Sequence, residues 1–192
     1  MKKSLDAPFG LFPFFLLYTG LRRGEALALT YADIDRKNGV LHVNKKVSYS
    51  FHPPRLENWT KSEKGVRDVP LLLPLAAALP KDHIGLIFPG KDGGYTSENE
   101  LTNKWRDYCR AVGFAETLAF DSGETAERFP ITPHCLRHSF ATICYEAGLD
   151  IRQAAKICGD NPETIEKVYT HLREKQAASA AEKLAAYFHG AV

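Results

Sequence analysis

The stretch TPHCLRHSFATICYEAG, residues 132–148, opens an otherwise apolar helix with His134, Arg137 and His138. Thr132 is an N-cap residue by type, and Pro133 suits the first helical position, where its missing N–H is no loss. His134 then falls in the first turn and Arg137 one turn later on the same side. First-turn amides and the positive end of the helix dipole already attract an anion. An imidazole and a guanidinium added there make a phosphate site. Two histidines four residues apart can also share a zinc ion, but no glutamate lies between them and spacing clusters no third ligand. No metal is expected, and His138 is expected to be a buried, hydrogen-bonded helix residue.

Such side chains need a scaffold to aim them. With 192 residues, 44% hydrophobic and 25% charged, the chain has the profile of one ordinary soluble domain. A formal net charge of only +2 excludes a histone-like or basic-tail protein. Any nucleic-acid binding must come from a local patch. The four cysteines (Cys109, Cys135, Cys144, Cys158) have no CxxC spacing and read as free thiols of a reducing compartment. The apolar start, GLFPFFLLYTG, is short, is interrupted by Pro13 and runs into LRRGE instead of a small-residue cleavage site. It therefore reads as a buried helix, with no secretion or membrane signal.

Pattern along the chain predicts the elements. Residues 5–18 form a buried helix and RRGEALALTY a second. NGVLHVNKKVSYSF alternates at period two from an Asn-Gly turn and reads as one strand. NWTKS, the turn EKG and VRDVPL make a hairpin, which gives one three-stranded antiparallel sheet. LPLAAALP is a short helix and IFPGKDGGY a loop. TSENELTNKWRDYCRAVG carries a capping box at Ser97 and Glu100 and closes on Gly113. TLAFDSGETAERFP shows no usable periodicity and reads as a surface loop. DIRQAAKIC, NPETIEKVYTHL and EKQAASAAEKLAAYF follow as three helices. The expected fold class is α+β, mostly helical with a small three-stranded antiparallel sheet.

Four motifs, TGLRRGEALALTYADID (19–35), TKSEKGVRDVPL (60–71), TPHCLRHSFAT (132–142) and CGDNPETIEKVYTHL (158–172), together resemble the tyrosine recombinases of the phage-integrase family. They occur in that family's order and with its spacing, over nearly the whole chain. The resemblance implies attack by a tyrosine hydroxyl on a DNA phosphodiester, giving a 3′-phosphotyrosyl link and a free 5′-hydroxyl. Neither ATP nor a cofactor is implied. Charge growing on the phosphoryl oxygens must then be met by fixed cationic donors.

By this match Arg22 and Arg137 grip the non-bridging oxygens, a task suited to a planar, permanently charged fork. Lys61 would protonate the leaving 5′-oxygen, with Lys64 as the rival in the turn. His134 would donate to the phosphate or assist proton transfer, Glu25 would orient its neighbours, and Tyr169 would be the nucleophile. One position departs from the pattern. The residue after Gly159 is usually His, sometimes Trp, and donates to the scissile phosphate; here it is Asp160. An ionised carboxylate cannot donate and repels phosphate. Asp160 must turn away, be protonated, or reduce the activity, with Asn161 and His171 as substitute donors.

The expected organisation is a catalytic domain over 1–172 and a C-terminal helical tail over 173–192, available for packing on another protomer. The family's N-terminal DNA-clamping domain has no counterpart, so the sequence reads as an isolated catalytic domain. The implied function is site-specific integration or excision of a phage or mobile element. Double-stranded DNA and other protomers, as a synaptic tetramer, would be the partners, in a bacterial or phage-encoded cytoplasmic setting. The alternatives are a catalytically impaired DNA-binding relic and type IB topoisomerase-like cleavage.

Overall fold

The computed structural model describes residues 2–58 and 65–189. After a single turn, α1 (Lys2–Leu5), the chain enters α2 (Leu11–Thr19), which is apolar on every side and is accordingly buried, with Phe12, Phe15 and Leu16 excluded from water. Gly20 ends it in the left-handed region (φ 64°), its N–H on the Leu16 carbonyl. A Cβ at Gly20 would collide with the Phe140 ring, so only glycine lets the later helix α6 (Pro133–Glu146) come this close. The short α3 (Arg23–Ala28) and a 3-10 turn over Tyr31–Asp33 follow.

A three-stranded antiparallel sheet forms, in the order β1 (Ile34–Asp35), β2 (Val40–Val43), β5 (Arg67–Pro70). Leu41 lies opposite Val69, and Val43 opposite Arg67. The stretch read as one strand over 38–51 is two. After Asn44 the chain leaves β2's partner, and β3 (Lys45–Ser48) pairs with β4 (Arg55–Asn58) as a separate hairpin. Val47 and Ser48 are both buried, which breaks the alternation, because β3 packs beneath α3, where Gly24 rests on the Val47 carbonyl. Of the predicted strand NWTKS, Asn58 ends β4 and the rest lies outside the described residues.

α4 (Leu73–Ala78) and α5 (Glu98–Val112) complete the first half. The capping reading of α5 holds: Ser97 accepts from the Glu100 N–H, and Gly113 closes the helix at φ 79°. The segment expected to be a loop is a hairpin, β6 (Glu116–Ala119) against β7 (Thr125–Arg128). Every residue of both strands is exposed, so no apolar face imposes a period-two pattern. The ladder and an Arg110–Glu127 ion pair at 2.7 Å hold it instead.

α6, α7 (Ile151–Cys158) and α8 (Pro162–His189) form the second half. The last two predicted helices are one: α8 runs unbroken through residues 172–173. Near its end Leu184, Tyr187 and Phe188 are exposed. Two apolar clusters result. One joins α2, α3, the sheet, α4 and α5; the other joins Phe140, Cys144, Ala154, Cys158, Ile165 and Tyr169 of α6–α8. The seam between them is where the phosphate-gripping candidates meet.

Candidate active site

Arg22 is the N-cap of α3. Glu25, one turn on and 1% exposed, accepts from the Arg22 backbone N–H at 2.9 Å with one oxygen and from Arg22 Nη1 at 3.1 Å with the other. The guanidinium is thereby aimed across the seam. From the far side Arg137, on the first turns of α6, is nearly buried and donates Nη1 to the Gly20 carbonyl at 2.7 Å. Thr132 caps α6 through the Cys135 N–H, with Pro133 first in the helix, as the residue types predict. These two arginines border an open hollow of about 500 Å³, lined also by Arg23, Thr132, His134, Asp160 and Thr164.

Asp160 stands between them. Its Oδ2 accepts from Arg137 Nη2 at 2.7 Å and its Oδ1 from Arg22 Nη2 at 3.3 Å and from the Asn161 backbone N–H at 3.2 Å. Gly159, at φ 65°, closes α7 and delivers the carboxylate to this place. Partial burial raises the carboxyl's pKa, but the Arg137 hydrogen bond and charge, with Arg22 and the Asn161 N–H, outweigh it and hold the group below the usual carboxylate range. Asp160 thus faces both arginines instead of turning away, and their charge favours its ionised form. Each guanidinium gives the carboxylate its Nη2, while Nη1 of Arg22 is held by Glu25 and that of Arg137 by the Gly20 carbonyl.

His134 is exposed at the rim, its ring edge-on to His138 with centroids 4.5 Å apart. Loss of water around the ring, then the charges of His138 and Arg137, lower its pKa below 6.5, so at neutral pH it is a neutral imidazole with one N–H to give. His138 is exposed, not buried as expected, because its side of α6 faces outward past Arg137. His171 lines a different surface hollow along α8, with Glu163, Glu166, Lys167, Thr170 and Glu174. It is not placed to substitute as a donor here. Lys61 and Lys64 lie outside the described residues.

Tyr169 does not line the hollow. Its ring is 4% exposed in the second apolar cluster, edge-on to Tyr145 at 4.9 Å, and its buried hydroxyl has no hydrogen-bond partner among the described residues. Burial, then the neighbouring Cys144, Cys158 and Asp150, push its pKa up to about 12. The structure thus brings together Arg22, His134, Arg137 and Asp160 and keeps Tyr169 in the adjoining core.

One further residue emerges that sequence reasoning passed over. Arg67 on β5 has a side chain only 3% exposed and donates to Glu25 at 2.8 Å. The signal was available: in VRDVPL, period two puts Arg67 on the same inward face as the buried Val69, an improbable place for a lone charge.

The sequence profile described as the Phage integrase family matches residues 2–176. The chain belongs to the phage integrase family. Among curated relatives of this phage integrase domain, the tyrosine recombinase XerD of Corynebacterium glutamicum is 30% identical over 158 residues, covering 82% of this chain and 46% of the relative. The tyrosine recombinase XerC of Natranaerobius thermophilus is 25% identical over 189 residues, covering 93% and 56%. The chain spans about half the length of the curated relatives it matches. Among solved structures, the Tn1549 transposon integrase in complex with circular intermediate DNA superimposes with a TM-score of 0.66 at 21% identity, over 91% of this chain and 59% of that one. That likeness establishes a fold shared with that integrase, of the expected α+β class, about half helical with small antiparallel sheets. No helix among the described residues is long and apolar enough to cross a membrane.

Proposed function

We propose that this domain breaks and rejoins DNA strands in site-specific recombination, integrating or excising a phage or mobile element through a 3′-phosphotyrosyl intermediate. The observation that carries the reading is the convergence of Arg22 and Arg137, from opposite halves of the fold, on a single carboxylate. Two guanidiniums that share one carboxylate are spaced to share the non-bridging oxygens of one phosphodiester. Their fixed charge stabilises the extra negative charge of the transition state. In the working site Lys61 protonates the leaving 5′-oxygen, and neutral His134 donates its N–H to the phosphate. Double-stranded DNA is the substrate, and other protomers complete the synaptic complex.

In this reading the arrangement described above is a resting one. A hydroxyl whose pKa is pushed up to about 12 inside an apolar cluster is no nucleophile at neutral pH. DNA binding must therefore draw the α8 segment carrying Tyr169 toward the hollow. The relatives named tyrosine recombinases, and the neighbour solved with DNA, support the same assignment. A nicked suicide duplex that loses its short 5′-hydroxyl fragment after cleavage tests it. Wild-type protein accumulates a covalent protein–DNA adduct, and Tyr169→Phe accumulates none.

A second reading is favoured by Asp160: a DNA-binding relic in which the carboxylate has taken the phosphate's place for good. In that case DNA is bound but no adduct forms with any nicked substrate, and Asp160→His does not restore one.

A further inference from the structure

We propose that Arg67 is a positioning residue of the site: it fixes Arg22 through Glu25 and, from the same guanidinium, fixes the turn that carries Asp160. The proposal rests on the strand-cleavage reading for its kinetic consequence but not for its geometry. Arg67 Nη2 and Nη1 donate to the two oxygens of Glu25, at 2.8 and 3.4 Å. Those same oxygens hold Arg22 by its backbone N–H and its Nη1. Glu25 is thus a carboxylate shared between a buried arginine behind and a working arginine in front.

The remaining donors of Arg67 point elsewhere. Nε donates to the Ile157 carbonyl at 2.8 Å, in the last turn of α7, and Nη1 to the Gly65 carbonyl at 3.1 Å. The guanidinium also lies flat beneath the end of α7: a Cβ on Gly159 would stand 2.5 Å from its Cζ. Gly159 and Asp160 are therefore seated on Arg67, just as Glu25 is. One side chain thereby sets the separation between Arg22 and the carboxylate, or phosphate, that Arg22 must meet.

Only arginine can do this. Lysine carries the charge but no planar set of donors able to serve Glu25, Ile157 and Gly65 at once. A buried ion pair is a poor device for stability alone, because removing both charges from water offsets their attraction. Direction is what the pair supplies. A misplacement of about 1 Å in such a constellation typically lowers a rate by about a hundredfold.

The test uses the full chain with Arg67→Lys, Glu25→Gln and the double variant Arg67→Met/Glu25→Gln, which replaces the buried pair by neutral side chains and is expected to keep the fold. Three quantities are read: the melting temperature, the NMR signal of the Arg22 guanidinium (assigned by its loss in Arg22→Lys), and single-turnover cleavage of a nicked duplex. The double variant should melt within about 4 °C of wild type, as expected for a stability change of about 1 kcal/mol in a domain this size. Its Arg22 signal should shift and broaden, and cleavage should fall by about a hundredfold with little change in DNA half-saturation. Arg67→Lys and Glu25→Gln should each give the same Arg22 shift and the same fall in cleavage. Glu25→Gln should also melt lower, because it leaves the Arg67 charge buried and unpaired. An Arg67→Lys/Glu25→Gln variant should lose no further cleavage, as for residues acting through one contact. A double variant with an unmoved Arg22 signal and wild-type cleavage overturns the proposal. So do losses that multiply between the single variants. If wild type forms no adduct at all, the strand-cleavage reading fails instead, and the Arg22 signal alone decides the role of Arg67.

Discussion

Replacing Asp160 should speed the reaction, and the size of the gain follows from its contacts. Its bond to Arg137, at 2.7 Å, joins a guanidinium 5% exposed to a carboxylate 21% exposed. A hydrogen bond to a charged group in such a setting contributes about 1.5–3 kcal/mol. The Arg22 contact is longer, at 3.3 Å, with its guanidinium 46% exposed, and adds at most about 1 kcal/mol. Incoming phosphate must displace both. The carboxylate therefore imposes about 1.5–4 kcal/mol that a neutral residue does not, or roughly 10- to 700-fold in rate at about 1.4 kcal/mol per tenfold. Asp160→Ala should gain that factor in single-turnover cleavage of a nicked duplex at matched pH.

Asp160→His removes the carboxylate and also adds a donor, which in comparable sites is worth on the order of a hundredfold, so it should be faster than Asp160→Ala. The alanine variant has a built-in control. Arg137 loses its carboxylate while remaining buried, so the protein should melt lower and recover when sulfate or DNA is added. Acid should not mimic the substitution. Asp160 has a folded-state pKa below its ordinary 3.8, so its contribution to stability is present above 3.8 and is lost only as pH falls through the lower, folded value. Cleavage therefore gains nothing from Asp160 between about pH 5 and 8. If Asp160→Ala and Asp160→His bind DNA yet cleave no faster than wild type, the carboxylate is not what obstructs the phosphate, and the reasoning fails.

His134 gives a pH signature: its folded pKa lies below 6.5, so the unfolded chain takes the proton first and stability declines as pH falls below 6.5. Bound phosphate favours the imidazolium, so DNA binding near pH 6 should take up protons, measured by calorimetry in two buffers of different ionisation enthalpy; uptake that persists in His134→Gln refutes this. DNA affinity of the domain alone should be modest and fall steeply with salt, because at a net charge of +2 phosphates are engaged by a local patch such as that around Arg22, Arg23 and Arg137; tight binding that is flat between two salt concentrations contradicts it. Gly159→Ala places a side chain at φ 65° and against Arg67, so the melting temperature should drop by at least the effect of about 1–2 kcal/mol, and an unchanged melting curve would show that Arg67 is free to move aside. In the proposed synaptic complex the exposed Leu184, Tyr187 and Phe188 dock on another protomer, so removing residues 174–192 should impair strand exchange more than DNA binding; equal loss of both counts against that role.

What the residue string revealed and what it concealed divide along a physical line. Caps and positive-φ glycines are local, so the starts of α5, α6 and α7 were legible in Ser97, Thr132 and Asp150, and the close of α5 in Gly113. The first helix, expected over 5–18, begins only at Leu11, because the chain turns at Phe9 and Gly10. The hairpin over β6 and β7 was not, because its strands are exposed on both faces and leave no pattern to read. Nor was the switch of partner after Asn44, which is set by the packing of α3 over Val47 and not by the strand's own alternation.

The site divides in the same way. His134 and Arg137 could be read from the helix start at Thr132 and Pro133, whereas Arg22 was named only from the resemblance of its motif. Asp160 could be flagged as a departure, but its consequence could not, since that depends on distances of 2.7 and 3.3 Å to arginines from two other segments. Both the departure and its setting trace to one turn. Gly159 must be left-handed to end α7, Arg67 must lie flat beneath it, and the next residue is then delivered between the two guanidiniums whatever its type. A histidine in that position would hand a proton donor to a phosphate. A carboxylate there satisfies the arginines itself, so the same backbone geometry that builds the anion site also fills it.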